Sequence, residues 1–195
     1  MLQEDAAASM KSLEETTMKT AWMFIEKRDY VWQQVHEHYQ LIGMTLIAFL
    51  LPMFLSHPQL VVGSVINMLL FLAAFQMKGI KILPLIIAPS IGAALYGVLF
   101  GPLTIYLFYF IPFIWLANAI LVYGYKLLRH HRYGVLAAGI SVILAKSALL
   151  ASVAIIFIAL GLVPGVFLVA MGAMQLLTAS LGFFAALGIR KILQH

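Results

Sequence analysis

The sequence predicts an all-α integral membrane protein: a bundle of six transmembrane helices preceded by an amphipathic cytoplasmic helix. Three observations lead there. Of 195 residues, 64% are hydrophobic and only 10% are charged, too little polar surface to cover a soluble domain of this size. The apolar residues run continuously, without the period-two alternation of a membrane-spanning β-barrel. All seven carboxylates, from Glu4 to Glu37, precede the first apolar run, so no acidic side chain follows residue 37.

In chain order, residues 1–38 form a cytoplasmic or interfacial N-terminal segment, and 39–195 the transmembrane domain. Within the first, Met18, Trp22, Ile25, Trp32, Val35 and Tyr39 recur at spacings near three or four with charges between them. That spacing predicts an amphipathic helix over 13–39, lying at the membrane surface or leading into the first span. Six apolar segments follow, at about 41–56, 59–77, 80–100, 102–125, 134–160 and 163–189, most of them near the ~20 residues needed to cross hydrocarbon. His57-Pro58, Gly101-Pro102 and the run Gly161 to Gly165 are uncharged breaks. Lys78 and Lys81, then Lys126, Arg129 and Arg132, then Arg190 and Lys191 mark the alternate boundaries. Every Lys and Arg except Lys146 therefore falls on one side of a six-span path, which places both termini in the cytoplasm of a multi-pass plasma or inner membrane protein.

The residue inventory excludes several chemistries. The chain has no cysteine, so thiolate metal sites, iron–sulfur clusters and cysteine nucleophiles are absent. Metal-dependent lipid phosphotransfer and intramembrane aspartyl proteolysis need carboxylates in the spans, where none occurs. His36, His38, His57, His130, His131 and His195 all lie outside the spans or at their rims, which argues against a transmembrane haem. The net charge of +5 sits in short loops, where it sets topology and meets anionic lipid, not nucleic acid. The expectation is a non-enzymatic protein without metal or cofactor. Carriers driven by protons or sodium commonly couple through an intramembrane acid, so solute movement here requires energy from another subunit.

Lys146 is the exception on which the functional reading turns. It lies about twelve residues from either end of its segment, roughly 18 Å at 1.5 Å per residue, beyond the reach of a snorkelling side chain. Such a charge costs roughly 2.5–3.5 kcal/mol on insertion scales and should face the bundle interior or a wet cavity. Asn67, Ser90, Asn118 and Gln175 lie within a few turns of its depth, Gln175 nearest in level. Lys146, Gln175 and Asn118 are candidate ligand-binding residues, with Tyr109 and Trp115 of the aromatic fourth segment as surfaces for a planar ligand. The alternative is a lysine capped by carbonyls, with the amides serving as interhelical hydrogen bonds. Ala138, Ser141, Ala145, Ala148 and Ser152 form a small-residue stripe predicted to pack, with Lys146 about 120° away from it. Ala93, Gly97 and Gly101 form a second such run, a candidate partner-docking surface.

Six short-looped spans, the Gly-Pro break in LFGPL and the C-terminal run GAMQLLTASLGFFAALGIRKIL together resemble the substrate-binding S-components of energy-coupling factor transporters. The resemblance implies a non-catalytic bundle that captures a vitamin-like micronutrient from the outer side. It implies docking on a transmembrane coupling subunit driven by cytosolic ATPases. The family's Ala-x-x-x-Ala docking motif is missing from LIGMTLIAFLLPMFLS, and the Ala93–Gly97–Gly101 run is its nearest substitute. The other reading of the chain is a structural or assembly subunit docked through its N-terminal helix.

Overall fold

A computed structural model describes residues 18–19, 35–55, 59–96 and 103–193. Contacts divide the chain into two units, Met1–Gln40 and Leu41–His195. Most of the expected N-terminal amphipathic helix, including Trp22, Ile25 and Trp32, lies outside the described residues, as do Gly97 and Gly101.

The larger unit is helical, with no strand among the described residues. Residues 41–54, here α1, are helical. α2 spans Gln59–Gln76. A single 3₁₀ turn, Ile80–Ile82, leads into α3, Leu83–Tyr96. α4 spans Thr104–His130, α5 Val135–Ala159 and α6 Val166–Ile192. Each expected apolar segment thus holds a helix. Four of them (α2, α4, α5 and α6) are long and apolar enough to cross a membrane, whereas α3 belongs to a shorter apolar stretch, Ile80–Leu95. Their outward residues are also apolar: Ile140, Leu144, Ile155 and Ile156 on α5 are each about half exposed, as is Phe184 on α6. A helix apolar all round suits hydrocarbon on one side and protein on the other, so by length and composition this is a helical membrane protein.

Two helices depart from regular α geometry. α4 widens to a π turn at Ile120–Gly124, and α6 does so at Val169–Ala173. Each wide turn shifts the angular phase of everything beyond it, so positions on either side no longer share the face that a 3.6-residue period assigns.

The interior has two apolar clusters. One, towards the basic ends of the helices, contains Phe71, Ile82, Leu121, Tyr125, Ile143 and Phe183. The other, towards the opposite ends, contains Ala93, Phe110, Leu150, Phe167 and Met171. Along α5 the first cluster ends at Ile143 and the second begins at Leu150, which leaves Lys146 in the gap; Asn118 occupies the same gap on α4. The side chains of these helices are thus layered: apolar, polar, apolar.

The most extensive helix pair is α2 with α6. It closes around two glycines. A Cβ on Gly182 would lie 2.6 Å from the Met68 nitrogen and 2.8 Å from the Ser64 carbonyl oxygen, and one on Gly63 would lie 2.8 Å from a Thr178 methyl. Glycine here lets backbone meet backbone, the usual device where no hydrophobic effect drives helices together in lipid.

The small-residue stripe on α5 does not pack as expected. Ala138 is buried, but Ser141, Ala145, Ala148 and Ser152 are exposed. The buried face of α5 is instead Val142, Ile143, Lys146, Ser147, Leu150, Val153 and Ala154. The lysine lies on the packed side and the stripe faces outward. α5 is apolar all round, so side-chain size alone did not set its phase.

Candidate functional site

Lys146 is 2% exposed, in the middle third of α5. Its Nζ donates to Asn67 Oδ1 at 2.6 Å and to Asn118 Oδ1 at 2.8 Å. These two amides belong to α2 and α4, so the ammonium ties three helices together. Both amide orientations are fixed by what their nitrogens do. Asn67 Nδ2 donates to the Gly63 carbonyl at 2.9 Å and to Thr178 Oγ1 at 3.2 Å. Asn118 Nδ2 donates to the Ile86 carbonyl at 3.1 Å. A backbone carbonyl only accepts, so each Nδ2 must face it and each Oδ1 must face the lysine. Thr178 passes the chain on, donating to the Gln175 carbonyl at 3.4 Å. The network therefore extends from α5 through α2 to α6, and from α5 through α4 to α3.

No side-chain carboxylate exists beyond residue 37 to neutralise this lysine. Amide oxygens offer partial charge only. An ammonium has three protons and the protein accepts two, so its third hydrogen-bonding direction has no partner among the described residues.

Beside it lies a cavity of about 90 Å³. Lys146, Asn67, Asn118, Ser90 and Gln175 line it, with Gln59 at the start of α2 and apolar walls that include Leu107, Ile114 and Met171. From Asn67 to Gln59 is eight residues of α2, roughly 12 Å, directed away from the basic ends of the helices. Gln59 and Gln175 border this space, and their side-chain amides hydrogen-bond to no described residue. A volume of 90 Å³ holds several waters or one small solute; drug-sized ligands need roughly 300–1,000 Å³.

The sequence-derived candidates separate here. Lys146, Asn118 and Gln175 converge on one cavity, together with Asn67 and Ser90. Gln175 lines the cavity but does not bond the lysine; Asn67 and Asn118 do. Trp115 is half-buried and donates its Nε1–H to Ser90 Oγ at 2.7 Å, so it holds a cavity-lining hydroxyl without itself lining the cavity. Ser90 in turn donates to the Ile87 carbonyl at 2.9 Å. Tyr109 is 48% exposed, with its ring against Phe157 at 6.2 Å, away from the cavity. Ala93 is buried and lines the cavity.

Thr178 was not singled out by the sequence. One signal was available: it lies three residues after Gln175 and four before Gly182, on the face of α6 that meets α2. The two π turns were a second missed feature. One begins two residues after Asn118, and the other ends two residues before Gln175 and contains Met171. Such turns often sit beside functional groups, because the wide turn re-aims its neighbours. Comparison of the chain with protein-family models, with curated proteins and with solved structures returns no match in any of the three.

Proposed function

We propose that the chain is a non-enzymatic, membrane-embedded solute-binding protein of the kind its sequence resembles, an S-component of an energy-coupling factor importer. In this reading six helices cross the plasma or inner membrane with both termini in the cytoplasm. A separate coupling subunit and cytosolic ATPases supply the energy. The observation that carries the reading is the lysine: a cation at mid-helix with no carboxylate available, two amide acceptors and one direction left open beside a mainly apolar cavity edged by a few polar side chains. An anionic or carbonyl-bearing solute completes its coordination, and the amides of Gln175 and Gln59 discriminate among such solutes. The cavity extends towards the uncharged helix ends, consistent with capture from outside. At about 90 Å³ it represents a closed form, so a vitamin-sized solute requires the helices around it to part.

Mass spectrometry of small molecules released from gently purified protein tests this. A single retained solute, lost in Gln175→Ala while the fold is kept, is the expected result. An empty wild-type protein that no candidate solute stabilises thermally would sink the reading.

A second reading, a structural or assembly subunit, is favoured by one observation: both amides bonded to Lys146 also donate to other helices, Asn67 to Thr178 and Asn118 to the Ile86 carbonyl, so the lysine serves as a cross-brace. That reading predicts a purified protein with no solute and a partner lost on deletion of residues 1–38.

Topology is testable without background, because the chain has no cysteine. Leu162→Cys is expected to react with a membrane-impermeant maleimide on intact cells, and His131→Cys only in inverted vesicles. The opposite pattern would reverse the orientation, and equal labelling of both positions from one side would overturn the six-span path.

A further inference from the structure

A second cavity, unrelated to the first, opens where the basic ends of α2, α4 and α6 meet. It measures about 410 Å³, and Lys78, Lys126, Arg129 and Arg190 line it together with Tyr125. Four cations thus line one open cleft.

The cleft is built and held in place. Lys126 Nζ donates to the Met77 carbonyl at 2.6 Å, which fixes it at the end of α2. Arg129 donates to the Tyr133 carbonyl. The Arg190 guanidinium lies over the Phe75 ring, 5.5 Å from its centroid, and makes no hydrogen bond to any described residue. All five of its N–H groups therefore remain unassigned. Tyr125 supplies the independent observation. It is 3% exposed, and its ring is gripped by Phe71 at 5.9 Å, Phe75 at 5.1 Å and Phe183 at 6.4 Å. Its hydroxyl is nonetheless buried without a hydrogen-bond partner. A buried hydroxyl left unsatisfied is costly and rare, and here it belongs to a residue lining a cleft of cations.

We infer that this cleft binds a phosphate group, which accepts from the Tyr125 hydroxyl and the Arg190 guanidinium while Lys78, Lys126 and Arg129 supply charge. A phosphate oxygen satisfies the hydroxyl once the side chains covering it shift, a guanidinium fork matches two oxygens of the same group, and Phe75 packs against both donors. The phosphate is either that of an anionic lipid headgroup or free phosphate, and basic clefts between membrane helices suit the former. The inference does not depend on the role of Lys146.

The test uses full-length protein in nanodiscs containing equal phosphatidylglycerol and phosphatidylcholine, with retained lipid counted by native mass spectrometry. Preferential retention of phosphatidylglycerol is expected, falling about fivefold in Arg190→Gln. Tyr125→Phe is the sharper variant, because it removes only a hydroxyl that bonds to no described residue. It is expected to reduce retention with an unchanged or raised melting temperature. A second arm titrates inorganic phosphate onto protein in phosphatidylcholine-only nanodiscs. Stabilisation there that is lost in Arg190→Gln identifies free phosphate as the source, and lipid preference alone identifies the headgroup. Equal retention of the two lipids with no response to phosphate overturns the proposal. So do responses that neither variant changes.

Discussion

Lys146→Met is expected to weaken assembly of the bundle by about 2–4 kcal/mol while making α5 easier to insert. The two effects have opposite signs because they act on different stages. Insertion of the isolated helix gains the roughly 2.5–3.5 kcal/mol that a mid-membrane charge costs. Assembly loses two charge-assisted hydrogen bonds and leaves Asn67 Oδ1 and Asn118 Oδ1 buried without a donor, at about 1–3 kcal/mol each. Thermal unfolding in detergent or nanodiscs measures the second stage, and the variant should melt well below wild type. The companion variant replaces all three groups: Lys146→Leu, Asn67→Leu and Asn118→Leu together. Removing every partner of a buried network with similar volume is often nearly neutral. Ile86 and Gly63 keep the intrahelical bonds their carbonyls accept, so the triple variant should recover most of the lost melting temperature. Any retained solute should be missing from both variants. A triple variant that regains stability and still holds the solute would show that the polar layer is structural alone. One that stays as unstable as Lys146→Met would show that the cost lies in packing.

Gly182→Ala should be the most damaging single-methyl addition in α6. The new Cβ would lie 2.6 Å from the Met68 nitrogen, 2.7 Å from Asn67 Cβ and 2.8 Å from the Ser64 carbonyl oxygen. All three belong to a rigid helix, so relief requires α2 and α6 to separate by several tenths of an ångström or more. Overpacking of this kind costs about 1–3 kcal/mol. The movement also carries Asn67 away from Thr178, so the polar network opens with the packing. Gly188→Ala on the same helix is the control: nothing lies within 4 Å of its Cβ position, and it should be neutral or mildly stabilising. Melting temperatures of the two variants should differ clearly. Equal values would mean that the α2–α6 contact is looser than described.

Much of this was legible in the sequence. Apolar run length and uncharged breaks located the helices, because hydrocarbon thickness dictates the length of a spanning segment. The isolation of Lys146 from any carboxylate was also plain, since it follows from where the acids stop. The partners of the lysine were less so. Gln175 stood nearest in depth, yet Asn67 and Asn118 make the bonds, because depth can be counted along the chain whereas facing cannot be read from helices that are apolar all round. The α5 stripe failed for a related reason. A small residue permits close packing but does not demand it, and Lys146 does demand an interior position, so the charge decided which face turned inward. Tyr125 closes the fourth apolar segment, the place where an aromatic commonly serves as an interfacial anchor. Only the fold reveals that its ring is enclosed by Phe71, Phe75 and Phe183 while its hydroxyl is left over.

The order of the polar residues along the chain bears on how the protein is made. Asn67 and Asn118 both precede Lys146, so a chain inserted helix by helix in order of synthesis has both amides in the membrane before α5 arrives. The lysine then emerges where two amide oxygens already exist, and its charge need never face lipid alone. Thr178 arrives last, on the final helix, and accepts the remaining proton of Asn67. Tight closure of α2 against α6 at Gly63 and Gly182 therefore waits for the end of translation, and the carboxyl-terminal helix acts as the latch on a polar layer assembled before it.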